Sequence, residues 1–383
     1  MKRDSQMATF QKRKKRNGNN RQLSLSLNST QTNRPWSDLL EELMEVIMGK
    51  LLFTDQVCFR SVCERWRSLR RVKPAKQIPW LLIWHEKSFA SCKLYDPVYK
   101  KTLIIDNTCL KDFPYSGAVI CTSKEGWLLI SFENISTTSF VLYSPFTNEM
   151  IQFPPCDHTR KDFCTTTSMF SSPPSSPDCI IFIKLRSLKN GSILIKTCRP
   201  GEKSWIPRSF SSGRLFLDSN IGVYMDGLFY CINNYNGSLG IFNVALQTWS
   251  VHEIPSTLSE KYNICHRRLV EYGGELLSVP YHNPERTVKL DRTQMSWVQF
   301  DALGDRVMFI SQSTALVSDS APKRGMKNRV YTFSYEKPKY FSFKSHTTYY
   351  DYCTYKAITT KDCGMGPMCD NKHCNMTWIE PTA

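Results

Sequence analysis

The 383 residues carry 50 Lys and Arg against 34 Asp and Glu, a formal charge of +16, with 41% hydrophobic residues and 15 cysteines. That length suits one small module plus one large domain of about 300 residues, and the longest apolar run, Ile78-Pro79-Trp80-Leu81-Leu82-Ile83-Trp84, is too short to span a bilayer. No charged-then-apolar leader opens the chain and the odd, scattered cysteines form no secreted framework, so a reducing compartment, nucleus or cytoplasm, is expected, with most thiols acting as small buried hydrophobes.

In chain order, the first feature is a basic tail. Residues 1–34 hold nine Lys or Arg against Asp4 alone, half of the whole charge excess. Rich in Asn, Gln, Ser and Thr besides, this tail is expected to be disordered, because it has too little apolar surface to offset its chain entropy. Its run Lys12-Arg13-Lys14-Lys15-Arg16 is a candidate nuclear-localisation signal; the alternatives are a solvated tail with no receptor or sequence-blind attraction for nucleic acid.

Residues 35–75 read as a small helical module. Asp38 with Glu41, and Ser61 with Glu64, have capping-box spacing, and Thr54 or Asp55 is placed to cap a short helix between them. Turned by about 100° per residue, Leu39, Leu40, Leu43, Met44, Val46, Ile47, Met48 and Leu51 fill an arc of roughly 200°, opposite Glu41, Glu42, Glu45 and Gly49. Three short helices cannot cover so wide an arc, so part of it, with Val57, Cys58, Val62, Cys63 and Trp66, is expected to be covered by another chain or domain. The run from Trp36-Ser37-Asp38-Leu39-Leu40-Glu41-Glu42-Leu43 to Val62-Cys63-Glu64-Arg65-Trp66 resembles an F-box. The resemblance implies docking onto a Skp-type adaptor of a cullin-based ubiquitin ligase through Leu39, Leu43, Ile47, Leu51, Cys58, Val62, Cys63 and Trp66. Leu40 departs from the family, which has Pro there; Pro presets a helical φ in a first turn, so Leu40 is expected to loosen the helix start.

From residue 78 to 381 short apolar runs alternate with Gly, Pro, Asn and Ser turns, as an all-β chain reads. A repeat runs through it. Asp96, Ser144, Arg199, Asn243 and Asp291 each mark a polar turn, at intervals of 48, 55, 44 and 48 residues, and Ser171-Ser172-Pro173-Pro174-Ser175-Ser176-Pro177 accounts for the long interval as an inserted loop. Gly126, Gly227 and Gly274 begin strands upstream of three marks, while Trp205, Trp249 and Trp297 close the units that they end. A unit of 40 to 50 residues that buries its faces only against its neighbours predicts a β-propeller of five to seven blades rather than tandem sandwiches. Trp249 and Trp297 are expected to fill the wedges between blades, and Val307–Ile310, Val330–Tyr335 and Tyr340–Phe343 to supply the last strands.

With Lys124-Glu125-Gly126-Trp127-Leu128, Leu303-Gly304-Asp305-Arg306, Asn328-Arg329-Val330-Tyr331 and the closing Trp378-Ile379-Glu380-Pro381, the chain resembles the plant F-box proteins with a KIB-type β-propeller. That resemblance implies a non-catalytic substrate receptor: the helices hold the adaptor and cullin scaffold, and propeller loops hold a target protein that the sequence does not identify. The alternative is a propeller-based interaction or regulatory protein not coupled to ubiquitination; an enzyme is the second class, yet there is no G-x-S-x-G elbow, H-E-x-x-H pair, P-loop or dinucleotide fingerprint, and Asp96 and Asp291 sit where turn caps belong. Nucleic-acid binding through the tail or Lys323-Arg324-Gly325-Met326-Lys327 is the third, with no specific nucleic acid expected. Cys363, Cys369, His373 and Cys374 are zinc-competent types at poor spacing, so no metal and no cofactor is expected.

Overall fold

In the computed structural model, the described residues are Trp36, 39–69, 72–75, 77–84, 89–111, 113, 118–133, 137–157, 163–211, 222–233, 236–255, 267–281, 283–319, 324–334, 337–350 and 376–382. Asp38, the basic run Lys12–Arg16 and the Cys363–Cys374 segment lie outside them. The chain divides into a first unit, Met1–Leu40, and a second, Glu41–Ala383.

The second unit opens with three short helices, α1 (Glu41–Met48), α2 (Phe53–Arg60) and α3 (Glu64–Ser68). Glu41 and Glu42 place negative charge on the exposed N–H groups of the first turn of α1. The expected side-chain caps of the other two do not form. Leu52 precedes α2 and Cys63 precedes α3, neither with a side-chain cap. Thr54 instead donates its hydroxyl to Asp96 Oδ2 at 3.4 Å, Asp55 accepts from Tyr99 OH at 3.0 Å, and Ser61 Oγ donates back to the Cys58 carbonyl at 2.6 Å. Two of the polar groups that a local rule assigned to capping, Thr54 and Asp55, are used for tertiary contact, and Ser61 closes the end of α2 instead of opening α3.

Among the described residues that follow, the regular structure is six β-sheets and two single 3₁₀ turns, Pro284–Arg286 and Arg324–Met326. The first sheet joins β26 (Met376–Ile379), β1 (Trp80–Trp84), β2 (Ser91–Asp96) and β3 (Lys101–Asp106); the second joins β4 (Ala118–Lys124), β5 (Trp127–Glu133), β6 (Thr137–Ser144) and β7 (Glu149–Gln152), with β8 (Cys156–Asp157) also on β6. The third runs β12 (Ile206–Phe210), β11 (Ile193–Cys198), β10 (Ile181–Ser187), β9 (Phe163–Phe170). The fourth is β13 (Val223–Met225), β14 (Leu228–Ile232), β15 (Leu239–Asn243), β16 (Thr248–His252), and the fifth β17 (Arg267–Tyr272), β18 (Glu275–Pro280), β19 (Val288–Asp291), β20 (Ser296–Gln299). The sixth is β22 (Ala315–Ser318), β21 (Val307–Ile310), β23 (Arg329–Ser334), β24 (Lys337–Ser342), β25 (Thr347–Tyr350), in which β21 and β23 run parallel.

Six apolar clusters match the six wedges between neighbouring sheets, which makes a closed six-bladed propeller. One wedge packs Leu82 and Leu94 of the first blade against Leu128 and Tyr143 of the second, and another packs Ile83 and Trp378 of the first against Val307 and Phe309 of the sixth. The two ends of the domain close the ring in one sheet, Trp80 opposite Ile379 and Leu82 opposite Thr377. Buried hydroxyls tie this seam together. Ser123 of the second blade donates to the Trp378 carbonyl at 2.5 Å and accepts from Thr314 Oγ1 at 3.2 Å, and Thr377 Oγ1 lies 3.1 Å from both Thr314 and Ser311 hydroxyls.

The repeat marks are turns whose backbone demands their chemistry. Asp96 accepts the N–H groups of Val98 and Tyr99, Asn243 that of Leu246, and Asp291 those of Thr293 and Gln294. Four residues after every mark but Arg199, directly before the outer strand, stands a left-handed residue: Lys100 and Asn148 at φ 54°, Gln247 at 54°, Met295 at 46°. His346 repeats the position at 48° in the sixth blade, where the sequence showed no mark. Glu125-Gly126, Asp226-Gly227 and Gly273-Gly274 each have two positive φ values, the tight turn that matches strand twist. Gly126 is needed twice over, since a Cβ there would also overlap Thr382. Two strands, not one, separate each such turn from its mark. Ser171–Ile180 links β9 to β10 where other blades have these two-residue turns, so the inserted loop lies where the interval placed it.

Candidate functional site

Two surfaces carry side chains that the fold does not use up. The first is the helical module. Its inner side is anchored: Met44, Met48, Phe53, Gln56 and Leu69 are buried. Phe53 enters the wedge between the first two blades, 5.4 Å from Trp80 and 4.9 Å from Phe146 by ring centroids, both edge to face. Gln56 donates to the Met48 carbonyl at 2.7 Å, and Arg60 donates to the Leu69 and Arg67 carbonyls at 2.8 and 3.2 Å, which holds α3 against α2.

Its outer side is apolar and uncovered. Leu43 is 50% exposed, Ile47 38% and Val62 64%, and Val46, Val57 and Cys58 are exposed with them. Leu51, Cys63 and Trp66 are half-buried, the Trp66 ring stacked on Phe59 at 4.1 Å. Leu39, half-buried, belongs to the first unit, where its N–H donates to the Trp36 carbonyl at 3.4 Å. The anchoring role of Phe53 was not legible in the sequence, because a wedge between blades is assembled from distant strands.

The second surface is a cavity of about 260 Å³ on the propeller axis. It lies where the inner strands end in their tight turns, lined by Lys124 and Glu125 after β4, Glu271 and Tyr272 of β17, Arg306 before β21, and Glu380 after β26. Antiparallel alternation puts the turn of Asp96–Lys100 at this same end of the blades, so α2 touches the ring at the end that holds the cavity. Lys124 donates to the Ser171 carbonyl at 2.5 Å and lies 5.6 Å from the Tyr224 ring centroid; burial lowers its pKa against the pull of Glu125, Glu380 and Glu271. Burial likewise raises the Glu380 carboxyl, which accepts the Glu125 N–H at 2.5 Å.

Among the described residues no group of three or more His, Cys, Asp and Glu is placed to hold a metal ion, and no helix is long and apolar enough to cross a membrane. His252 is exposed, 3.0 Å from Ser250 Oγ. Among the described cysteines none forms a disulfide, and burial raises the thiols of Cys92, Cys121 and Cys198 to about 12, 11 and 12, far from the range of a reactive thiolate.

A closed propeller bearing a short helical module with an uncovered apolar face defines a two-part scaffold. The F-box domain family matches residues 36–71 and the KIB1-4 beta-propeller family residues 94–356. An F-box/kelch-repeat protein of Arabidopsis thaliana is 31% identical over 309 residues, covering 77% of this chain and 82% of its own. An F-box protein of the same plant is 28% identical over 299 residues, covering 76% and 75%. The chain belongs to the F-box proteins that carry a KIB-type β-propeller.

Proposed function

We propose that this chain is a substrate receptor of an SCF-type ubiquitin ligase: the helical module binds a Skp-type adaptor and through it the cullin scaffold, and the propeller binds a target protein. The observation that carries this reading is the division of the helices into an anchored side and an uncovered side. Phe53, Met44 and Met48 are buried, while Leu43, Ile47, Val57 and Val62 stand in solvent on a module whose sequence matches the F-box. Such a run of exposed apolar side chains is characteristic of an interface. The adaptor contacts are Leu39, Leu43, Ile47, Leu51, Cys58, Val62, Cys63 and Trp66. The protein then contributes proximity, since holding target and ligase together makes ubiquitin transfer effectively intramolecular, and the chemistry occurs on other subunits.

Co-purification of the full chain with a Skp-type adaptor tests the reading. A stoichiometric complex is expected, lost when residues 36–71 are deleted; an intact complex after that deletion contradicts it. The chain is assigned to nucleus and cytoplasm, with Lys12–Arg16 as the import signal. Replacing those five residues by Ala should move a fluorescent fusion towards the cytoplasm, and an unchanged distribution removes the assignment.

A further inference from the structure

The outer strand of each blade ends its sheet at the rim, with one row of main-chain groups left over. Natural sheets keep such edges short or place proline in them: β7, β20 and β25 have four residues each, and β12 carries Pro207. β3 is the longest of the six at six residues, without proline and without a bulge in its register with β2. Ile104 at its middle is 68% exposed, between exposed Thr102 and Asp106. The charges stand at the two ends, Lys100 and Lys101 at one and Asp106 at the other. Among the described residues none pairs with the outer edge of β3, and Lys100, Thr102 and Asp106 form no side-chain hydrogen bond or ion pair.

The main chain fixes what this edge accepts. Asn107 donates its N–H to the Ala90 carbonyl at 2.6 Å, which continues the ladder that sets Asp106 opposite Ser91. Hydrogen-bonded pairs alternate along an antiparallel ladder, so Lys101, Leu103 and Ile105 direct their N–H and C=O groups at β2, while Thr102, Ile104 and Asp106 direct theirs outward. An antiparallel copy of β3 offers outward groups at the same spacing whenever residues of equal parity stand opposite. With Leu103 on the two-fold axis, Thr102 faces Ile104 of the second copy and Lys100 faces Asp106 of the second copy, and each pair occurs twice. In that register the strand is complementary to itself in charge as well as in hydrogen bonding. We propose that β3 pairs with β3 of a second copy of this chain, joining two propellers edge to edge about a two-fold axis at Leu103. Such a contact is isologous and closes on itself, so it covers the open edge without building a fibre. The turn that precedes β3 is held to α2 by the 3.0 Å bond from Tyr99 to Asp55, and the two-fold sets these turns at opposite ends of the paired strands, so each copy keeps its own helical module. Six residues a side make a small contact, so the dimer is reversible, with a dissociation constant on the order of micromolar.

The test is sedimentation velocity on the full chain over a concentration series that brackets this value. The unaltered chain should pass from monomer to dimer. Lys100→Glu and Asp106→Lys each set like charges opposite one another at both ends of the pair, and each alone should weaken self-association about tenfold. An equimolar mixture of these two variants sets opposite charges at both ends again and should recover the dimer as a heterodimer. Ile104→Pro removes an outward N–H while the ladder to β2 keeps its donors, so it should abolish self-association with the melting curve little changed. If that variant melts early, the charge variants, both at exposed positions, carry the test. A chain that stays monomeric throughout the series, a dimer indifferent to both charge variants, or a mixture that associates no more tightly than either variant alone overturns the proposal.

Discussion

The helices and the blades treat their large apolar side chains in opposite ways. In the propeller they meet across wedges: Trp297 is 3% exposed, packed against Tyr230 and Leu239 of the blade before it, its indole N–H donating to the Gly237 carbonyl at 2.9 Å. Trp249 stands at the same register, opposite Phe242 as Trp297 is opposite Leu290, and packs into the preceding wedge. Trp205 occupies the wedge before that and donates to the Pro154 carbonyl at 2.8 Å. In the helices, side chains of similar character remain in water. A blade repeats because each unit completes the burial of the next; the helical module packs on the propeller from one side, through Phe53. What is left over on the module points to a second chain.

If the comparison is right, the same kind of truncation has opposite consequences in the two regions. Trp297→Ala should have the largest effect on stability, about 3–5 kcal/mol, since it removes a fully buried side chain and strands the Gly237 carbonyl. Trp249, half-buried, should cost less on the same denaturation curve, and neutral effects at both sites would break the equivalence of the wedges. Ser123→Ala, at the seam where the ring closes, should cost about 1–3 kcal/mol by removing the 2.5 Å hydrogen bond to the Trp378 carbonyl and leaving the weaker 3.5 Å one from Thr377 Oγ1. Ile47→Ala, by contrast, should change stability by no more than about 0.5 kcal/mol while weakening adaptor capture about tenfold or more. The smallest effect is expected at a turn mark. Hydrogen bonds from Thr293 and Gln294 hold the Asp291 carboxyl below its ordinary pKa, so its contribution is present above about pH 4 and lost as the pH falls further. Asp291→Asn should flatten the acid limb of the stability profile slightly, and a steeper limb would contradict the sign.

Legibility followed locality. The turns at Asp96, Asn243 and Asp291 were readable because a carboxylate or amide accepting the N–H groups just downstream leaves its mark within five residues of sequence. The wedge tryptophans were readable through their period. The sixth blade and the closing first sheet were less so: the strands of the sixth were evident as apolar runs, but the parallel pairing of β21 with β23 and the closure of β26 on β1 join segments that no periodicity connects. Capping failed at Thr54 and Asp55 for the same reason, since the partners that claimed them, Asp96 and Tyr99, lie more than 40 residues away. In the candidate site, the outward arc of the module was legible as an apolar excess, whereas the axial cavity, built from the ends of strands in every blade, left no sequence signal.

The central claim is that the outer side of the helical module is an interface and its inner side is not. The most direct measurement is a paired titration of the full chain and its Leu43→Ala, Ile47→Ala double variant with a purified Skp-type adaptor, with melting curves recorded on the same samples. The account predicts a saturable complex for the unaltered chain, a loss of affinity of well over tenfold for the double variant, and superimposable melts. An adaptor that binds both chains equally, or a variant that loses stability in step with binding, would contradict it.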